Sequence, residues 1–227
     1  MSPKRFSLLL LLCASLWQSC KKEADYPADI RPRDFYVRAT LVEGDGTERP
    51  YEYRGEDTLT LSPLPSLPDL VLEMEYLSNY YIQDSIRYLW GGLGAWDGFI
   101  PLPFFIQVSH PNRVTDPFTP PEWQKEDLEE VFFPGKEFRY GGAPGDAVIG
   151  IADYPNGAWR FNTLTSDNSD GYLRVLEVSD YGIPELGTPY FGKKVRFQFS
   201  CRLSNGDSGD WRLRDGEAVL FFRYYQF

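Results

Sequence analysis

From Asp34 onward, apolar and polar positions alternate with a period of two, the mark of strands that bury one face. The clearest stretch is residues 194–203. Val195, Phe197, Phe199, Cys201 and Leu203 share one side, and Lys194, Arg196, Gln198, Ser200 and Arg202 share the other. Ten unbroken residues of this kind predict a half-buried antiparallel strand. Asn205-Gly206-Asp207-Ser208-Gly209 then reads as a reverse turn, and residues 211–214 begin the partner strand. Asp215-Gly216 interrupts that strand as a turn or bulge before it resumes over 218–224.

Earlier in the chain, residues 35–42 and 51–54 flank Glu43-Gly44-Asp45-Gly46-Thr47, which predicts a hairpin. Strands are expected at 58–61 and 70–77, with Pro63, Pro65 and Pro68 confined to the loop or an edge because they donate no ladder hydrogen bond. Further strands are expected at 80–90, 103–108, 137–140, 147–153, 158–164 and 172–178. One short helix is expected over 120–132. Thr119-Pro120-Pro121-Glu122 matches a capping box with proline at the first helical position, and Pro134-Gly135 ends it. Many short strands with one helix predict an all-β chain, β-sandwich-like, with antiparallel sheets. One domain over 34–227 is preferred to two subdomains joined near 110–135.

The first 19 residues do not belong to that fold. Lys4 and Arg5 precede an apolar run from Phe6 to Trp17 that is about 12 residues long, too short for a membrane span of roughly 20. It ends in Leu16-Trp17-Gln18-Ser19-Cys20. A small residue before cysteine resembles a bacterial lipoprotein signal, in which Cys20 is lipidated and becomes the new N-terminus. Trp17 departs from the pattern, which prefers Leu, Val or Ile at that position. An ordinary secretory signal and a retained N-terminal anchor are the plainer alternatives. Lys21-Lys22-Glu23-Ala24-Asp25 is similar to the start of mature Bacteroidota-type lipoproteins, and the resemblance implies the outer membrane and its exposed surface. Each buried acyl CH2 contributes about 0.8 kcal/mol, so a multiply acylated cysteine would hold the chain on the membrane. Residues 20–33, with Pro27 and Pro32, read as the lipidated cysteine and a tether reaching up to roughly 45 Å if extended.

A second resemblance lies near the C-terminus. Gly171-Tyr172-Leu173-Arg174-Val175, the alternating strand, and Trp211-Arg212-Leu213-Arg214-Asp215-Gly216-Glu217 are similar to small surface lipoproteins of unknown function. That likeness covers roughly 50 residues. It implies a β-rich extracellular module and names no activity, because function lives in sites rather than folds.

Composition narrows the chemistry. The chain carries 23 Lys plus Arg against 33 Asp plus Glu, a formal charge of −10. Loss of residues 1–19 with Lys4 and Arg5 would leave 21 basic residues against the same 33 acidic ones, a charge of −12 before the termini. Phosphate backbones need a basic face, so nucleic acid is excluded as an expected partner. A single histidine, His110, excludes sites built on several imidazoles, and three cysteines exclude a disulfide scaffold or four-cysteine zinc module.

Each remaining constellation has a plain structural reading beside the chemical one. His110 would have to serve any Ser-His-Asp triad, yet no Gly-x-Ser-x-Gly elbow exists and a loop position beside Pro111 suffices to explain it. Cys201 falls among core positions and reads as a small hydrophobe. Glu126, Asp127, Glu129 and Glu130 read as a solvated helix face. In Ser166-Asp167-Asn168-Ser169-Asp170-Gly171, the residues Asn168, Asp170 and Glu177 take calcium-loop spacing, although Ser166 stands where such a loop wants Asp. A polar hairpin turn accounts for the same residues.

Gly91-Gly92-Leu93-Gly94-Ala95-Trp96-Asp97-Gly98 lacks both the third glycine of a dinucleotide loop and a P-loop lysine, and no cofactor is expected. Tyr80, Tyr81, Tyr88, Trp90 and Trp96 gather around it, and Trp159 follows Asn156-Gly157. Sugar C–H faces stack on such rings, so Trp96, Trp90, Tyr88 and Trp159 are the candidate ligand-binding residues. Core packing is the competing and favoured reading for aromatics in strands, with Trp96 the leading exception. The sequence thus points to a lipid-anchored, non-catalytic envelope module that binds a glycan or an envelope protein. A carbohydrate-active hydrolase using two carboxylates and an architectural protein docking on other envelope components are the alternatives.

Overall fold

Alternation becomes two antiparallel sheets. The computed structural model describes residues 34–55, 58–61, 70–73, 75–83, 86–94, 103–111, 123–153, 159–183, 190–206 and 210–224. The leader, Cys20 and the tether lie outside them. The first hairpin forms as expected from β1 (Tyr36–Val42) and β2 (Glu48–Arg54). Its turn closes through Glu43 N–H to the Thr47 carbonyl at 2.9 Å. Gly46 stands at φ 87°, a left-handed conformation that costs glycine nothing.

β3 (Thr58–Leu61) and β4 (Leu70–Glu73) pair as a separate two-stranded sheet. Five strands, β5 (Glu75–Gln83), β6 (Ile86–Gly94), β7 (Phe104–Pro111), β9 (Ala147–Asp153) and β10 (Trp159–Asn162), form one large sheet in the order β10-β9-β7-β6-β5. The other contains β8 (Glu137–Phe138), β11 (Tyr172–Ile183), β12 (Tyr190–Leu203) and β13 (Trp211–Tyr224). With the first hairpin it runs β2-β1-β13-β12-β11-β8. The fold is all-β and sandwich-like, with one short helix among the described residues, α1 (Lys125–Val131).

Three expectations are redrawn. Residues 70–77 are two strands, because β4 pairs with β3 whereas β5 turns to β6. Residues 80–83 and 86–90 belong to two paired strands rather than one, since Gln83 pairs with Ile86. The expected cap at Thr119 lies outside the described residues, while Trp123 and Gln124 are not helical and α1 begins at Lys125. The Asp127 carboxylate accepts the Gln124 N–H at 3.0 Å and caps the helix from within.

The core fills the space between the sheets. Phe104 of β7 stacks on Phe199 of β12, with centroids 5.5 Å apart. Phe161 of β10 stacks on Trp211 of β13 at 4.1 Å. Phe132, just past α1, packs edge-on against Phe197 at 6.0 Å and tilted on Phe222 at 4.5 Å. Full burial of each such ring contributes roughly 1.5–3 kcal/mol.

Two irregularities shape this packing. Asp215-Gly216 is the expected bulge, with Asp215 at φ 51°, and the register of β13 shifts there against both β1 and β12. A side chain at Gly216 would run into the Phe199 ring. Beyond Val219, β13 outruns β1, and its free edge meets the second sheet. There Ser78 Oγ accepts the Arg223 N–H at 3.0 Å, and Ser78 pairs with Gly91 in the β5–β6 ladder. A Cβ on Gly91 would lie 2.5 Å from the Phe221 carbonyl oxygen. The glycine-rich segment therefore begins inside strand β6, where a missing side chain admits another backbone.

Candidate functional site

The odd positions of β6 face the core: Arg87, Leu89 and Leu93 are buried. The even positions, Tyr88 and Trp90, turn outward and are half-buried. Cross-strand register brings Tyr81 of β5 opposite Tyr88 and Gln107 of β7 opposite Trp90. The Tyr81 and Tyr88 rings stack with centroids 4.7 Å apart and planes 13° from parallel. The Tyr81 hydroxyl reaches across β6 and donates to Gln107 Oε1 at 3.3 Å. Burial and then the neighbouring Tyr88 push the Tyr81 phenol above its ordinary value, so it stays a neutral donor. Phe105, two positions along β7, lies over Gly150 of β9, where any Cβ would strike its ring.

These residues form a continuous outward patch of rings with an amide at its centre. Tyr81 keeps 42% of its surface exposed. None of Tyr81, Gln83, Tyr88, Trp90, Phe105 and Gln107 is charged. Of the expected aromatic group, Tyr88 and Trp90 thus stand together outside the core, contrary to the reading that placed them within it. Tyr80 takes the register position opposite buried Leu89. Trp159 begins β10 opposite Asp153, with β9 and β7 between it and β6. Trp96 lies outside the described residues.

A second group closes one end of the sandwich under α1. Arg87, with its side chain 4% exposed, makes two 2.9 Å bonds to Asp127 and lies 5.0 Å over the Trp123 ring. Lys193 enters from β12 and joins Glu129 at 3.0 Å and Asp180 at 2.6 Å. The helix is therefore pinned to both sheets by ions. Burial alone would raise the Asp127 carboxyl, but Arg87 and the Gln124 N–H hold it below its ordinary value. The expected solvated acidic face holds for Glu126, Glu129 and Glu130, which are exposed, and is corrected for Asp127, which serves buried Arg87; Glu129 also meets Lys193. Distant strands supply those cations, beyond the reach of local patterning.

His110 is likewise not a loop residue. It lies in β7 opposite Arg87 and is buried, with its ring 5.6 Å from Trp123 and Nε2 3.6 Å from Glu130. The adjacent Ser109 turns to the other side of the strand. Its hydroxyl is held between the backbone carbonyls of Ala143 and Asp146, at 2.5 and 3.0 Å. Ser109 and His110 are thus not arranged as nucleophile and base.

The calcium-spaced residues hold the chain together instead. Asn168 Oδ1 accepts the Arg202 N–H at 2.6 Å while its amide nitrogen donates to the Arg202 carbonyl at 3.0 Å. Asp170 joins Arg202 at 3.0 Å and also pairs with Arg212, and Glu177 joins Arg196 at 2.6 Å. Among the described residues, no group of three or more His, Cys, Asp or Glu could hold a metal ion. Cys201 is in the core, where burial pushes its thiol up to about 12 and keeps it un-ionised.

Comparison with known proteins finds no matching family model, no matching curated protein and no matching solved structure. Fold and site define the class by themselves: an all-β, two-sheet sandwich with an uncharged aromatic patch on the outside of one sheet.

Proposed function

We propose that this protein is a lipid-anchored module of the bacterial cell envelope, displayed on the outer surface, that captures a glycan without transforming it. The leader ending in Ser19-Cys20 supports the anchor. The observation that carries the binding reading is the outward patch of stacked Tyr81 and Tyr88, half-buried Trp90 and the Gln107 amide. Flat rings bury the C–H faces of sugars, and an amide can both donate to and accept from hydroxyls.

The described carboxylates favour capture over hydrolysis. A glycosidase needs one carboxyl raised so that it stays protonated. Asp127, Asp180 and Glu217, the depressed ones with some burial, all move the opposite way, because Arg87 stands beside the first, Lys193 beside the second, and the Tyr36 hydroxyl and then Arg38 beside the third.

A glycan array probed with the full chain in detergent, beside Tyr81→Ala, Trp90→Ala and Trp96→Ala, tests the binding. Retention on the array that the first two substitutions weaken is the expected outcome, and an empty array retires the glycan reading. Shortening of a bound glycan would move the protein to the hydrolases. For the anchor, metabolic labelling with palmitate is expected to mark the wild type and not Cys20→Ala; labelling of both would remove Cys20 from the proposal.

A further inference from the structure

We infer that the aromatic patch selects uncharged glycans and rejects anionic ones; this rests on the glycan reading above and adds the ligand class. The described outward side chains of β5, β6 and β7 include no Lys or Arg, so none of these side chains can neutralise a uronate or sulfate. Arg139, beside Ser109 at the end of this face, is engaged by Asp146 at 3.1 Å, and arginines of the other sheet are engaged as well: Arg38 with Glu217, Arg196 with Glu177, and Arg202 with Asp170. The field of the whole chain, at −10, repels a polyanion before it arrives.

The geometry also suits a chain of sugars rather than a single one. Tyr88 and Trp90 are two residues apart on β6, and Phe105 pairs with Gly92, the next outward position, one strand over. Strand rise and strand spacing place these three rings along a diagonal of about 14 Å. An extended, neutral oligosaccharide laid along that line meets a ring at successive sugars, and Gln107, opposite Trp90, addresses a hydroxyl midway. Recognition of this kind is built from stacking and neutral hydrogen bonds, so salt has little to screen.

The test is affinity electrophoresis and calorimetry of the full chain in detergent. Neutral polymers (β-glucan, mannan, xylan) are set against polygalacturonate, hyaluronate and chondroitin sulfate, at 20 mM and 500 mM salt. The expected result is binding to at least one neutral polymer that changes less than twofold with salt and weakens about tenfold in Trp90→Ala. Tyr81→Ala, at an exposed position, should weaken it severalfold with the melting temperature unchanged, so misfolding cannot mimic the effect. Binding to an anionic polymer that collapses at high salt would overturn the charge selection while leaving glycan capture standing. Binding to neither set would remove both.

Discussion

The two sheets turn opposite surfaces to water. Outside the six-stranded sheet, ions are paired across neighbouring strands: Arg38 and Arg196 converge on Glu217, Arg196 continues to Glu177, and Arg174 meets Glu137. Tyr36 adds its hydroxyl to Glu217. Outside the five-stranded sheet, Tyr81, Gln83, Tyr88, Trp90, Phe105 and Gln107 bring rings and amides. The described ions of this ladder pair with one another across the strands. On the aromatic face Tyr81 stacks on Tyr88 and meets Gln107, and 42% of its surface stays exposed. Two outer faces of one sandwich can therefore divide the work, one keeping register and the other available for recognition. Under α1 the buried Arg87 meets Asp127, an ion pair with far less water around it than those of the ladder.

That contrast sets the largest expected effect. Asp127→Ala leaves the buried Arg87 guanidinium without its partner, and breaking such a pair costs about 3–5 kcal/mol. Urea denaturation should show the loss, and adding Arg87→Leu should recover part of it. The same pair has a pH signature. The Asp127 pKa lies below 3.8 in the folded chain, so its stabilisation is complete above that value and is lost as pH falls below it. Thermal melts should thus decline below about pH 4 in the wild type and less steeply in Asp127→Asn.

Gln107→Lys sharpens the comparison from the other side, by putting a charge in the middle of the neutral face. Neutral-glycan affinity should fall about tenfold, or roughly 1.4 kcal/mol, in calorimetry. Stability should stay within about 0.5 kcal/mol, as for most surface changes. Glu217→Gln removes the hub of the ladder, where Tyr36, Arg38 and Arg196 meet on a side chain 18% exposed. A loss of about 1 kcal/mol is expected in denaturation, with glycan binding unchanged. Arg38→Ala is the smallest, a barely detectable shift of the urea midpoint, because 57% of that side chain is exposed; 1 M salt should erase the difference.

Local pattern reached far into the fold. The hairpin turn at Asp45-Gly46, the alternation of 194–203 and the break at Asp215-Gly216 all carry their structure in neighbouring residues, because turn chemistry and a period of two are short-range constraints. The site was legible in residue type and not in face. Tyr80, Tyr81, Tyr88 and Trp90 look alike as a cluster of aromatics, but the pairing of Gln83 with Ile86 sets the parity of β5 and β6. Parity is what sends Tyr88 and Trp90 to the surface while Arg87 and Leu89 go in. His110 and Asp127 were misjudged for a related reason: their partners, Trp123, Arg87 and Glu130, arrive from other elements.

By itself, then, the sequence determined the all-β class, most strand positions, the bulge and the acidic balance, since each follows from local propensity or from composition. Only the tertiary structure decided which aromatics form a surface, which ions are sealed beneath α1, and why Gly91 has no side chain. Those depend on which strands become neighbours, and strand order is fixed by burying both sheets at once rather than by any segment alone.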